Sequence, residues 1–247
     1  MSASFTACFV RTIIEVMKTI VIIPAYNEAK KIFNVVCGLI DSGYEVLVVD
    51  DGSRDNTASE AERAGAKVLR HIINRGYGAA LATGNDYAVK NNYDMAVHFD
   101  ADGQHDVEDI KKLLQPIIDG QADVVLGSRF KSDPNDPNYI RMTRIPFIRK
   151  LLLKAAVLFT WFVSRVKLTD AHNGLRALSR QALTKIDCRQ DGMSYASEVI
   201  DQIGEHKLRY QEVGVTIKYT DYSLAKGENN IKKVLLGLRF IWEKMVK

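Results

Sequence analysis

The stretch DMAVHFDADGQH, residues 94–105, is an apolar run that delivers two aspartates, Asp100 and Asp102, into a glycine-containing turn, with Gln104 and His105 close behind. A D-x-D triplet alone is common in solvated turns. Three earlier runs change its meaning: TIVIIPA (19–25) leads into YNEA, EVLVVDD (45–51) into GSRDNT, and AKVLRH (66–71) into IINRGYG. Amphipathic stretches follow them, starting near Glu28, Asp55 and Gly78. This alternation is the βαβ rhythm of a parallel sheet, and an open parallel sheet presents its ligands at the carboxyl ends of its strands. The fold class expected is therefore α/β, with a Rossmann-like, mostly parallel central sheet flanked by helices.

Beyond the triplet a helix is expected near Asp106, whose carboxylate is placed to cap it, followed by the strand DVVLGSRF (123–130). The composition then changes. KSDPNDPNY (131–139) is turn-rich, IRKLLLKAAVLFTWFVSRV (148–166) is apolar and basic, and GLRALSR (174–180), KLRYQEV (207–213) and VTIKY (215–219) read as shorter strands. The closing stretch, residues 229–247, reads as a basic helix with Leu235, Leu238, Trp242 and Met245 on one stripe. The organisation expected is an N-terminal extension over residues 1–17, a nucleotide-binding half over 18–130, an acceptor-binding half over 131–227 and a C-terminal basic amphipathic helix over 228–247. For the residues before Met17 a membrane-touching segment is the alternative.

The 247 residues are 47% hydrophobic and 26% charged, which suits a globular domain with a substantial core and excludes disordered and collagen-like classes. Cys8, Cys37 and Cys188 are odd in number and form no CxxC pair, so neither a disulfide framework nor a zinc site is indicated. The net charge of +4 is unevenly spread: Pro137 to Thr169 holds no acid but carries Arg141, Arg144, Arg149, Lys150, Lys154, Arg165 and Lys167. Such a region suits a membrane surface better than nucleic acid, for which neither zinc-finger spacing nor an RNA-binding aromatic signature is present. LLLKAAVLFTWFV (151–163) falls short of the roughly 20 apolar residues that span a bilayer. It reads either as a buried or interface helix or as an interfacial helix with basic anchors. The first residues carry Glu15 and no basic leader, unlike a signal peptide. The location expected is cytoplasmic, peripheral at the inner face of the membrane.

The strand ends carry the chemistry. Pro24 interrupts the first strand and leaves Tyr26, Asn27 and Glu28 in the loop before a helix. VVDDGSRDNT (48–57) offers carboxylates and hydroxyls suited to a base and ribose, although Asp55, Asn56 and Thr57 are also good helix-capping material. Asn74, Arg75, Gly76 and Gly78 permit close backbone approach to a ligand. The full GxGxxG fingerprint and the GxxxxGKS/T phosphate loop are both absent. Asp100 and Asp102 supply hard carboxylate oxygens, with the Gln104 amide nearby, a set suited to Mg²⁺ or Mn²⁺ rather than to a thiophilic metal.

Taken in order, IPAYNEA, VVDDGSRDNT, NRGYG, DADGQH, GSRF and TDAHNGLRALSR resemble the family 2 glycosyltransferases of GT-A type, most closely the dolichyl-phosphate mannose synthase and polyprenyl-phosphate glucosyltransferase branch, from about Thr19 to Lys226. The resemblance implies a metal-dependent, inverting transfer of a sugar from a UDP- or GDP-linked nucleotide-diphospho-sugar to a polyprenyl (dolichyl or undecaprenyl) phosphate. It implies that Pro24, Tyr26, Glu28, Asp51 and Ser53 surround the nucleoside, with Asn74 and Gly76 counted in the nucleotide-sugar site. Asp100 would lie near ribose and metal, and Asp102 and Gln104 would complete the metal site. A cation there would neutralise the charge that develops on the departing diphosphate.

Diphosphate or acceptor-phosphate roles fall to Arg129, Ser223 and Lys226; for Arg129 a surface salt bridge is the other reading. YTDYSLAKG (219–227) lacks the arginine of the synthases' version of that motif, which leaves Lys226 as the basic partner. With Asp102 and Arg129, Asp170 completes the expected catalytic set. It would be a general base for a sugar hydroxyl, or a positioning group for a phosphate that is already ionised, with a loop or capping carboxylate as the plain alternative. His105 and His172 read as polar loop residues. The ED pair and QxxRW motif of many saccharide-extending members are absent, which favours a lipid phosphate acceptor. In the absence of a span, a small membrane protein is a candidate recruiting partner. The rivals are transfer to a saccharide hydroxyl and a non-catalytic nucleotide-sugar-binding recruitment module, against which the intact Asp100 and Asp102 pair argues.

Overall fold

The structure, a computed structural model, describes residues 17–131, 166–170, 173–187, 192 and 195–217. All of them lie in one compact unit that ends at Ile217. Seven strands form one sheet: β1 (Thr19–Ala25), β2 (Glu45–Asp50), β3 (Lys67–Arg70), β4 (Met95–His98), β5 (Val124–Ser128), β6 (Arg176–Ser179) and β7 (Tyr210–Gly214), in the order β3-β2-β1-β4-β6-β5-β7. β1 pairs in parallel with β2 and β4, β2 with β3, and β5 with β7. β6 runs antiparallel between β4 and β5.

Alternation with apolar residues on both faces makes these runs strands of a doubly covered sheet. Ile20, Ile22, Leu47 and Val49 pack into one layer, and Val21, Ile23, Val46 and Val48 into the other. The first layer is covered by α3 (Tyr77–Lys90), α5 (Arg180–Lys185) and α6 (Tyr195–Glu205) through Leu81, Ala88, Leu183, Val199 and Ile203. The second is covered by α1 (Ile32–Asp41), α2 (Thr57–Arg63) and α4 (Asp109–Ile118) through Val36, Leu39, Ala61, Leu113 and Ile117. Burying one such large aliphatic side chain is worth about 1.5–3 kcal/mol, so tertiary packing rather than intrinsic propensity fixes the short helices.

Several local expectations are corrected. Pro24 does not end β1, which continues to Ala25 in register with Val49 and Asp50 of β2. The neighbouring ladder to β4 stops at Ile22, and the Ala25 carbonyl accepts from Asp51 on the β2 side, so the missing Pro24 N–H falls where no ladder bond is made. Helices expected from Glu28, Asp55 and Asp106 start at Ile32, Thr57 and Asp109, because the residues after each strand form loops first. Asp106 is not the helix cap; its carboxylate accepts the Glu108 N–H at 3.2 Å, ahead of α4. VTIKY forms no strand among its described residues, where Ile217 makes a single antiparallel bridge to His105. β6 and β7 come from the later half of the chain, so both expected halves build one sheet.

The extension at 1–16, His172, the basic apolar stretch at 151–163, Ser223, Lys226 and the closing helix lie outside the described residues. Among the described residues no helix is long and apolar enough to cross a membrane.

Candidate active site

The loops after β1, β2 and β3 are tied to one another at the carboxyl edge of the sheet. Asn27 adopts a left-handed backbone (φ 56°), donates its N–H to Ser53 Oγ at 2.9 Å and accepts the Arg54 N–H on its side-chain oxygen at 2.9 Å. The Glu28 N–H donates to Thr57 Oγ1 at 2.8 Å, and Glu28 itself is buried. Ser53 is buried as well, while Tyr26 remains 41% exposed at the rim. Asp51 is buried, and its carboxylate accepts from the Arg75 N–H at 2.9 Å, the Gly76 N–H at 2.6 Å and His71 Nδ1 at 2.8 Å. Asn74 donates to the Asp51 carbonyl at 3.1 Å. Gly76, with φ 103°, caps α3 in a conformation that side chains other than glycine rarely adopt. Asp51 and Ser53 therefore hold the loops expected to surround a nucleoside, with Pro24 buried behind them.

Asp100 and Asp102 stand just beyond β4, as the parallel-sheet rule places them. Both Asp100 oxygens accept hydrogen bonds, Oδ1 from Tyr77 Oη at 2.9 Å and Oδ2 from His105 Nε2 at 2.9 Å. Burial alone would raise the Asp100 carboxyl, but the His105 and Tyr77 hydrogen bonds and the positive charge of Arg176 hold it below the usual range. Asp102 goes the other way: burial, then the negative charge of Asp100, push it up, with Glu28 adding to the effect. Gln104 folds onto Asp102, its N–H donating to Oδ1 at 3.0 Å and its Nε2 to Oδ2 at 2.7 Å.

Two neighbouring carboxylates, one destabilised by burial and then by the other's charge, form a place where a divalent cation would lower the energy. The donors are hard oxygens. Among the described residues no third His, Cys, Asp or Glu completes a metal-binding group. Mg²⁺ is commonly held by one or two carboxylates, with water and substrate phosphate oxygens filling the remainder. The residues fit Mg²⁺ or Mn²⁺ on these grounds.

Arg129 and Asp170, read separately from the sequence, meet each other. Arg129 Nε donates to Asp170 Oδ2 at 2.6 Å and Nη2 to Oδ1 at 2.7 Å, and the Arg129 N–H adds a third bond at 3.1 Å. The Asp170 side chain is fully buried and the arginine is only 12% exposed, so the pair is far from a loose surface salt bridge. Glu212 of β7 accepts the Asp170 N–H at 3.1 Å and fixes the loop from behind.

Four participants escape the sequence reading. Tyr77 begins α3, and burial, then the charge of Asp100, push its phenol well above its ordinary value, so it stays a donor. His105 is a buried partner of Asp100, not a polar loop residue, and its ring packs edge-on against Phe99 at 5.4 Å. Gly174 presses on the same carboxylate: a Cβ there would lie 2.3 Å from Asp100 Oδ2. Arg176 pairs across the strands with His98, is 3% exposed, and donates Nε to the Asn173 carbonyl at 3.1 Å. Beside it His98, lowered to about 3 by burial and by the Arg176 charge, is neutral and bonds Asn85 Oδ1 at 2.8 Å. The only sequence signal for any of these was proximity, a histidine five places after Asp100 and a tyrosine beside a helix-opening glycine.

Comparison with known proteins adds the family. The profile described as Glycosyl transferase family 2 matches residues 20–187, a span that contains the Asp100 and Asp102 turn and the Arg129 and Asp170 pair. The chain belongs to glycosyl transferase family 2. Among its relatives in that family, the UDP-N-acetylglucosamine–dolichyl-phosphate N-acetylglucosaminyltransferase of Methanococcus voltae is 34% identical, over 90% of this chain and 92% of that protein. The polyprenol monophosphomannose synthase of Mycolicibacterium smegmatis is 32% identical, over 91% of this chain and 86% of that one. Among solved structures, glucosyl-3-phosphoglycerate synthase from Mycobacterium tuberculosis, in complex with Mn²⁺, UDP and glucosyl-3-phosphoglycerate, superposes with a TM-score of 0.61 at 19% identity, over 92% of this chain and 81% of that one. At that identity the likeness speaks for the fold. The family 2 chain is a glycosyltransferase with the GT-A fold, and its sequence relatives lie in the dolichyl- and polyprenyl-phosphate branch that its motifs resemble.

Proposed function

We propose that this glycosyltransferase moves a sugar from a nucleotide-diphospho-sugar to a polyprenyl phosphate, using Mg²⁺ or Mn²⁺ held at Asp100 and Asp102 and inverting the anomeric carbon. Relatives named as dolichyl-phosphate and polyprenol-phosphate transferases support the acceptor class. The observation that carries the choice within the site is the Arg129 and Asp170 pair. Both oxygens of Asp170 accept from the guanidinium, which makes this carboxylate a poor proton acceptor. A sugar hydroxyl needs a base to attack, whereas a phosphate oxygen arrives ionised and needs none. Asp170 and Arg129 then position the reacting groups.

The rest of the site follows the same division. Asp51 and Ser53 shape the nucleoside side by holding the loops, and Tyr26 and Asn74 offer exposed groups at its rim. Asp100, fixed at both oxygens, and Asp102, held by Gln104, face the diphosphate. The cation, when bound there, supplies positive charge against the charge that grows on the leaving diphosphate. A single in-line displacement by the acceptor oxygen inverts the anomeric carbon. The basic apolar stretch at 148–166 supports, from sequence alone, a lipid surface as the place of reaction.

The test is a panel of UDP- and GDP-linked sugars, each labelled in the sugar, given to the purified protein with polyprenyl phosphate in detergent or with saccharide acceptors. The reading expects label from one donor to enter the organic phase. Label in a saccharide with no lipid product would overturn the acceptor; donor binding without turnover on any acceptor would favour a non-catalytic recruitment module.

A further inference from the structure

We infer that Tyr77 and His105 are positioning residues that act through Asp100, clamping its carboxylate in the one orientation that binds the cation; this rests on the metal-assisted reading above. The clamp reaches the carboxylate from two independent elements. Tyr77 Oη, at the start of α3, meets Oδ1 at 2.9 Å, and His105 Nε2, in the turn after β4, meets Oδ2 at 2.9 Å. Gly174 closes the third side, where even a methyl group would collide with both oxygens at 2.3 and 2.7 Å.

Each arm of the clamp is itself fixed. The N–H groups of Arg75 and Gly76, the residues just before Tyr77, are held by the Asp51 carboxylate, so the loop after β2 sets where α3 begins. The Tyr77 ring packs edge-on against Tyr195 at 6.4 Å, and the Tyr195 hydroxyl accepts from Asn85 at 3.2 Å. His105 is buried, stacked edge-on against Phe99, and its backbone bridges to Ile217. A carboxylate so constrained cannot rotate to follow a ligand, and its two remaining lone-pair directions are preset. Partners of this kind raise metal affinity by fixing the ligand before the metal arrives, and removing one typically weakens affinity 10- to 100-fold.

The experiment reads Mn²⁺ directly, from the free-ion signal in electron paramagnetic resonance, with UDP or GDP present and nucleotide-only controls. Tyr77→Phe keeps the ring on Tyr195 and removes only the donor, so it is expected to raise the Mn²⁺ dissociation constant about 10- to 100-fold while the melting temperature stays near that of the wild type. His105→Ala is expected to weaken binding similarly, and His105→Gln, which returns an Nε2 donor, to recover most of the loss. Unchanged Mn²⁺ affinity in Tyr77→Phe and His105→Ala overturns the inference, as does a loss that merely tracks melting temperature without recovery in His105→Gln. A wild type that retains no more Mn²⁺ than the nucleotide alone overturns the metal reading beneath it, a separate result.

Discussion

Asp51 at the end of β2 and Asp102 beyond the end of β4 are aspartates at the same edge of the same parallel sheet, in opposite surroundings. Donors converge on Asp51: two backbone N–H groups and a histidine ring. Asp102 is buried beside a second carboxylate, Asp100; burial first and then that charge make its ionised form unfavourable, and the donors it has come from its own turn. The first arrangement ties the loops after β2 and β3 together. The second is an electrostatic imbalance that a cation would relieve. Position at a strand end marks both residues, and their partners are what differ.

Asp102→Asn should separate the two roles most sharply. Sugar transfer is expected to fall about 1000-fold, on the order of 4 kcal/mol of transition-state stabilisation, in steady-state assays, with a melting temperature equal to or above that of the wild type. A smaller loss in transfer would place the critical ligand elsewhere. Gly174→Ala should come next, since its methyl group would lie 2.3 Å from Asp100 Oδ2 and must displace the carboxylate. An ångström of misplacement in such a site costs about 100-fold in rate. Near-normal activity would show that the orientation of Asp100 is not critical.

Asp51→Asn should reverse the pattern. Replacing one acceptor oxygen by an amide leaves a buried N–H without its partner, and urea denaturation is expected to show a loss of about 2 kcal/mol. Activity per folded molecule should suffer far less than in Asp102→Asn; an equal loss would show that Asp51 matters to transfer as much as Asp102 does. The smallest effect is a pH dependence without metal. The folded-state value of Asp102 is raised, so the wild type loses stability as pH rises from the ordinary carboxylate value through that raised value. Asp100 is lowered, and its contribution is present above the ordinary value and lost only as pH falls through the depressed one. The stability advantage of Asp102→Asn over wild type should therefore grow as pH rises from the ordinary carboxylate value through the raised one, and a difference that stays flat would contradict a raised Asp102.

The short apolar runs between Thr19 and His98, each followed by an amphipathic stretch, made the parallel part of the sheet legible, because a doubly buried strand leaves a local pattern. DADGQH announced the carboxylate pair for the same reason. What could not be read was made by distance in sequence. β6 enters between β4 and β5, and only that insertion brings Gly174 and Arg176 beside Asp100. The Arg129 and Asp170 pair spans 41 positions and joins two groups that local chemistry could only treat as separate candidates. His105 was misjudged because a histidine in a polar turn carries no sign of burial until Phe99 and Ile217 close over it. Helix starts expected at loop carboxylates fall later in the chain because those carboxylates bond loop N–H groups as a cap would: Asp55 accepts from Ala29 and Thr57, and Asp106 from Glu108.

The most direct test of the account is transfer of labelled sugar to polyprenyl phosphate by metal-stripped enzyme as Mn²⁺ is restored, in wild type and in Asp102→Asn. The stripped wild type is expected to give no lipid-linked product and to recover as Mn²⁺ is added, and the variant is expected not to recover. Full turnover in the presence of chelator, or equal recovery in Asp102→Asn, would contradict it.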